Sequence, residues 1–337
     1  MDNRLTSEPV SSSRKPFFEI GRLPFVSDRR CGNVALITIE RPEQGNALNP
    51  ATLFNLRRTL ETVLDDASVK GVVLTAARPG FVLGASIDYL IRGIRERLFP
   101  QLHMYTKLGN DCFDLIAGAS KPVIALVNGP ALGGGVELAL ACHTRYATTS
   151  ASFSLPETGL GICPLWGAIP RLSRLLGTGL AKWLVYSGKM VKSLEAVQLG
   201  LVHEVLPSDD AMTKVIETAE NGLSSSRPFF PTMPDKSEIS SFFSTKTLSD
   251  ILFTEPVSHD KQLLNSLRSL KKNSFLALQF AEKLFELEEQ VAPDRASYYR
   301  YVVEHLYCSE DTILGLEWKK EGKIARPPFP SNGIFDK

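Results

Sequence analysis

From about residue 34 the chain alternates short unbroken apolar runs with longer stretches whose apolar side chains recur every three or four positions. The run in "NVALITIERP" is rich in β-branched and aliphatic residues and ends at Pro42, which predicts a strand. In "NALNPATLFNLRRTLETVLDD", Leu53, Leu56, Leu60 and Leu64 share one helical face, with Asn49 placed as N-cap and Pro50 as first helical residue. "GVVLTA" and "PVIALV" read as buried strands, and "IDYLIRGIRERLFPQLHMYTKLGNDCFDLIAG" as helix interrupted near Pro100. Strand and helix continue to alternate through "LVHEVLP". That rhythm predicts a layered α/β fold.

The pattern changes at about Ser224, where "SSSRPFFPTMPDKSEISSFFSTK" is rich in Ser, Pro and Phe and reads as a loop or short-helix insertion. "NSFLALQFAEKLFELEEQ" and "DRASYYRYVVEHLY" predict helices, and "IARPPFPSNGIFDK" a proline-broken tail. The implied organisation is a disordered extension at 1–16, a core at 17–222, an insertion at 223–262 and a helical region at 263–337. Length allows a large core. With 38 Lys plus Arg against 37 Asp plus Glu, no net field favours nucleic acid. The five cysteines form no CxxC pair or zinc-like spacing and are expected to be reduced thiols in a cytoplasmic protein. No apolar run approaches the roughly 20 residues that span a bilayer, and the N-terminal stretch has neither a signal-peptide centre nor a transit-peptide composition.

Chemistry concentrates in "NGPALGGGVELALAC", where three consecutive glycines precede Glu137 in an apolar run. Neither GxxxxGK[ST] nor GxGxxG is present, so phosphate binding fits badly. Tight helix packing explains the glycines but leaves Glu137 unexplained, because burying an ionised carboxylate costs heavily without a partner or a task. An oxyanion site explains both. The bare N-terminus of a helix offers N–H groups to a developing negative oxygen, and Gly134 and Glu137, three apart, share a helical face. A second carboxylate, Glu157, follows the short run "SFSLP"; alone it reads as a turn residue, but two carboxylates in comparable settings can divide acid and base roles.

The stretches "ITIERPEQGNALN", "VKGVVLTAARPGFVLGASI", "KPVIALVNGPALGGGVELALAC", "FSLPETGLGICP" and "GKMVKSLEAVQLGLVHEVLP" resemble the crotonase superfamily, which contains the enoyl-CoA hydratases and isomerases. With a weaker match at "YCSEDTILGLEWKKEGKIARPPF", the resemblance covers about 17–222 and 300–329 in family order. It implies a spiral of ββα turns with a C-terminal helical part, assembled as a homotrimer or dimer of trimers. It also implies an acyl-CoA substrate, with no metal or redox cofactor and no membrane insertion.

By motif position the resemblance gives the backbone N–H groups of Ala85 and Gly134 to the thioester oxygen, and Glu137 and Glu157 to acid/base work. Around the substrate it places Arg41, Ala47, Gly84, Ser86, Ile87, Asp88, Gly133, Leu165 and Trp166. Two departures stand out. Ser86 occupies a position that is commonly Asp, and "PLWGAI" replaces the usual "PGxGGT", so Leu165 and Trp166 should narrow the acyl pocket. The Phe-rich stretch is faintly similar to the 3-hydroxyisobutyryl-CoA hydrolase branch, which typically lacks a glutamate at the Glu137 position and has Asp where Leu165 stands. The expected reaction is hydration of a 2-enoyl-CoA, with thioester hydrolysis, double-bond isomerisation or a non-catalytic CoA-binding scaffold as alternatives.

Overall fold

The computed structural model describes residues 26–222, 238–253, 258–290, 294–323 and 327–335. The expected extension at 1–16 and the part of the insertion at 223–237 lie outside them. Strands β1 (Val26–Cys31) and β2 (Val34–Ile39) form an antiparallel hairpin turned at Gly32. Helix α1 (Pro50–Asp65) starts as its capping chemistry predicts: Asn49 Oδ1 accepts the Thr52 N–H at 2.8 Å, and Leu53, Leu56 and Leu60 are buried. After β3 (Gly71–Ala76) come α2 (Ile87–Arg95) and α3 (Phe99–Ala117). Their break precedes Pro100, which sits in the first turn of α3, where its missing N–H leaves no helical bond unmade.

The next elements are β4 (Val123–Val127), β5 (Pro130–Leu132), α4 (Gly134–Ala141), β6 (Thr144–Thr148) and β7 (Ser152–Ser154). A short 3-10 turn, Glu157–Leu160, leads to α5 (Ala168–Leu176), α6 (Thr178–Ser187), β8 (Val191–Lys192), α7 (Ser193–Gln198), β9 (Glu204–Leu206) and α8 (Ala211–Asn221). The larger sheet runs β1-β2-β3-β4-β6-β9, parallel from β2 onward, and the smaller runs β5-β7-β8. The passages from β4 to β5 and from β6 to β7 leave the larger sheet for the smaller; α4 returns the chain to β6, and α7, after β8, returns it to β9. This is the expected ββα spiral.

The small sheet sets the geometry that matters. β5 and β7 pair in parallel with Pro130 opposite Ser152 and Leu132 opposite Ser154, so both strands end side by side. The Gly133 N–H donates to the Ser154 carbonyl at 2.9 Å and continues the pairing past the strand ends. Whatever follows β5 therefore lies beside whatever follows β7.

The C-terminal part is helical: α9 (Glu238–Thr245), α10 (Leu248–Phe253), α11 (Lys261–Leu270), α12 (Phe275–Glu288), α13 (Arg295–His305) and α14 (Glu310–Lys320). The described part of the insertion packs into the core through Ile239, Phe243, Leu248 and Ile251, because its apolar residues keep helical spacing. One continuous apolar cluster runs from Val26 to Leu316. The proline-rich tail also docks: Phe329 is buried, and the Ser331 N–H donates to Asp311 Oδ1 at 3.2 Å.

Candidate active site

The three consecutive glycines have three different reasons. Gly133 takes φ +50°, and a Cβ there would lie 2.7 Å from Glu157 Oε1. At Gly134 a Cβ would lie 2.5 Å from the Trp166 ring, and at Gly135 it would lie 2.0 Å from the Val82 carbonyl oxygen. Tight packing therefore accounts for Gly135. Gly133 and Gly134 instead make room for the Glu157 carboxyl and the Trp166 ring, both of which line the cavity.

Two N–H groups face that cavity. A single parallel bridge joins Leu48 to Ala85, in which the Leu48 N–H donates to Gly84 at 2.8 Å and the Ser86 N–H donates to Leu48 at 3.0 Å. Alternation along an extended chain then turns the Ala85 N–H away from Leu48. The Gly134 N–H belongs to the first turn of α4, where no helical acceptor exists. The two are close: a Cβ built on Gly134 would lie 3.4 Å from the Ala85 nitrogen. Tyr105 holds this corner by donating to the Leu48 carbonyl and accepting the Ser86 N–H at 3.2 Å.

Glu137 and Glu157 are both buried in this cavity. Glu137 Oε1 accepts the N–H groups of Trp166 at 2.8 Å and Ala168 at 3.1 Å. Burial pushes its pKa up to about 7, with those two N–H groups pulling against the shift. Glu157 is raised well above the ordinary carboxylate range by burial first and by the neighbouring Glu137 second. Its Oε2 is buried with no hydrogen-bond partner among the described residues. Of the two, Glu157 has the surroundings that favour the protonated form more strongly.

The cavity measures about 80 Å³. Of the expected residues, Gly84, Ala85, Ile87, Gly133, Gly134, Glu137, Glu157, Leu165 and Trp166 line it. Arg41, Ala47, Ser86 and Asp88 do not. The Arg41 guanidinium is buried and donates to the Ala47 carbonyl and to Gln44, so it fastens its own connection. Ser86 caps α2, accepting the Tyr89 N–H at 3.4 Å, and the exposed Asp88 pairs with Lys320 at 2.7 Å.

Trp166 is buried between Gly134 on α4 and Gly109 on α3, where a Cβ would meet its Nε1 at 2.3 Å. Tyr105 and Phe113 meet it edge to face, at centroid distances of 5.2 and 5.7 Å. Sequence reasoning missed Tyr105, Thr106, Cys163, Tyr307 and Lys319, which also line the cavity. Cys163 lies in the matching stretch "FSLPETGLGICP", and Tyr307 and Lys319 in the weaker C-terminal match, so these three were the most findable. The others sit in helices or turns whose facing only the fold decides.

Comparison with known proteins agrees with this architecture. A family model described as Enoyl-CoA hydratase/isomerase matches residues 29–274. A short-chain-enoyl-CoA hydratase from Clostridium acetobutylicum is 41% identical over 189 residues, covering 56% of this chain and 71% of that protein. A crotonyl-CoA hydratase from Syntrophomonas wolfei is 38% identical over 192 residues, covering 57% and 72%. The crystal structure of an enoyl-CoA hydratase from Rhodobacter sphaeroides, 22% identical, superposes with TM-score 0.73 over 90% of this chain and 91% of its own, a likeness of fold. The fold is that of the crotonase class. The chain belongs to the enoyl-CoA hydratase/isomerase family.

Proposed function

We propose that this chain hydrates a 2-enoyl-CoA to a 3-hydroxyacyl-CoA. The thioester oxygen accepts the N–H groups of Ala85 and Gly134, which stabilise the negative charge that develops there as the enolate forms. Glu137, ionised, takes a proton from water as the water oxygen bonds to C3. Glu157, protonated, gives its proton to C2, so one proton enters and one leaves the carboxyl pair. The observation that carries this reading is the unequal support of the two buried carboxyls: two N–H donors on Glu137, and none on Glu157 Oε2 among the described residues.

The proposal includes no metal or redox cofactor, coenzyme A entering only as part of the substrate. It assigns residues 17–222 to acyl-CoA binding and 263–337 to the helical region, in a cytoplasmic homotrimer or dimer of trimers. No helix among the described residues is long and apolar enough to cross a membrane. An isomerase needs one carboxylate to shuttle a proton between carbons, so two cavity-facing glutamates favour hydration. Loss of the conjugated double bond of crotonyl-CoA, with a parallel assay for released thiol, tests the reading. Thiol release without hydration would make the protein a thioester hydrolase, and neither signal would leave a binding protein.

A further inference from the structure

A second cavity, about 460 Å³, lies between α3, α5 and α13. It falls within the range that small ligands occupy, roughly 300–1,000 Å³, which the 80 Å³ catalytic cavity does not. Thr106 is the one residue that lines both, and the adjacent residues Trp166 and Gly167 line one cavity each. Asn110, on the wall of the larger cavity, donates to the Leu165 carbonyl at 2.7 Å and ties that wall to the catalytic loop.

The larger cavity is cationic. Its lining carries Lys107, Arg171, Arg174, Arg295 and Arg300 against Asp111 and Asp114. Lys107 pairs with Asp111, Arg171 with Asp114, and Arg295 with Glu288 just outside the lining. Arg174 and Arg300 make no ion pair among the described residues. Arg171 also donates to the Trp166 carbonyl at 2.8 Å, which places the cationic wall directly behind the segment whose N–H groups hold Glu137. A methyl-ended acyl chain gains nothing from such a lining, whereas an anionic end gains charge-assisted hydrogen bonds.

We propose that the acyl chain of the substrate passes Thr106 into this cavity and ends there in a carboxylate, held by Arg174 and Arg300. This inference rests on the hydratase reading and narrows its substrate to the CoA thioesters of unsaturated dicarboxylic acids. The coenzyme A phosphates are the competing anions for the same arginines.

The test compares octenedioyl-CoA with octenoyl-CoA, which share chain length and coenzyme and differ only in the far end; hexenedioyl- and decenedioyl-CoA cover shorter and longer reach. Wild type should favour the best dicarboxylic substrate over its methyl-ended counterpart by about tenfold or more in kcat/KM, as hydrogen bonds to a charged group allow. The double variant Arg174→Gln, Arg300→Gln should erase that preference and leave crotonyl-CoA turnover unchanged, since both side chains are exposed and lie outside the catalytic cavity. Calorimetric affinities for octanedioyl-CoA, octanoyl-CoA and free coenzyme A are read alongside. A wild type that prefers the methyl-ended chain, or a preference that survives the double variant, overturns the proposal. So does a double variant that loses affinity for free coenzyme A, because the arginines then hold its phosphates. A wild type that turns over no substrate, crotonyl-CoA included, sinks the hydratase reading instead, and the affinity ratio still decides what the cavity binds.

Discussion

Glu137 and Glu157 share one cavity, yet different parts of the molecule hold them. Glu137 stands in the first turn of α4, rooted in the sheet core, and takes its hydrogen bonds from the loop that opens α5. Glu157 starts a short turn that the C-terminal helices clamp. The Ser274 N–H donates to the Thr158 carbonyl at 3.0 Å, Asn273 Nδ2 donates to Thr158 Oγ1 at 3.1 Å, and Thr312 Oγ1 donates to the Gly161 carbonyl at 2.6 Å. At Gly315 a Cβ would lie 2.3 Å from the Leu160 carbonyl oxygen, so α14 rests directly on the turn. The difference teaches that local N–H groups tune one carboxyl toward ionisation, while burial and a neighbouring charge favour the protonated form of the other. It also makes the helical region part of the site's scaffold.

The largest effect should come from Glu157→Gln, which keeps shape and removes the transferable proton: turnover should fall by a factor of about 10² to 10⁴ with acyl-CoA affinity nearly unchanged. Activity within about twofold of wild type would make Glu157 a structural residue. Stability gives an independent check. The folded protein raises this carboxyl's pKa, so its contribution is fully present below the ordinary carboxylate range and is lost as pH rises through the folded value. Glutamine is neutral throughout, so the melting temperature of the variant relative to wild type should climb with pH. A difference flat with pH would mean that Glu157 is not raised in the folded state.

Glu137 should show itself in the pH profile. With its pKa near 7, kcat/KM for hydration should rise as pH passes through about 7 and the group ionises. Glu137→Gln should lower the rate by about 10² and flatten that limb. If the limb survives in the variant, another group is the base.

The clamp predicts a smaller loss. Thr312→Val strands the Gly161 carbonyl, the nearer acceptor of its hydroxyl, at a stability cost of about 1–3 kcal/mol. If the clamp positions Glu157, kcat should fall by about tenfold, a loss on the order of the RT ln 10 spacing between rate decades, while KM holds. Thr312→Ser should restore it. A variant that is less stable yet keeps full kcat would separate the clamp from the chemistry.

What the sequence disclosed follows the same division. The α4 side was legible because its signal is local: a glycine run, a helical face and a carboxylate three residues past Gly134. The strands and α1 were legible because apolar periodicity and a capping Asn-Pro pair are local too. Arg41 and Asp88 were placed around the substrate by resemblance, and the fold uses them to fasten a loop and to make a surface ion pair. The clamp was not legible. Thr158 meets Asn273, and Gly161 meets Thr312, across more than a hundred residues, so no local pattern announces the contacts. The docking of the proline-broken tail was not legible for the same reason, since Asp311 is what fastens it.

The smallest and most selective effect belongs to Trp166, the residue in the loop that feeds hydrogen bonds to Glu137. Its indole fills the space between Gly109 and Gly134 on the wall of the catalytic cavity. Trp166→Leu keeps an apolar side chain and the backbone N–H that Glu137 needs, while shortening the wall. Each methylene of a methyl-ended chain that then finds apolar cover is worth about 0.8 kcal/mol, or roughly fourfold in kcat/KM. Across a series of enoyl-CoA lengths the variant should gain progressively on wild type as the chain grows, with crotonyl-CoA turnover and the pH limb near 7 unchanged. A length series parallel to that of wild type would place the indole outside the acyl path and leave it as packing for Tyr105 and Phe113. A shifted pH limb would instead show that the ring sets the position of the Trp166 N–H on Glu137, tying the wall of the pocket to its chemistry.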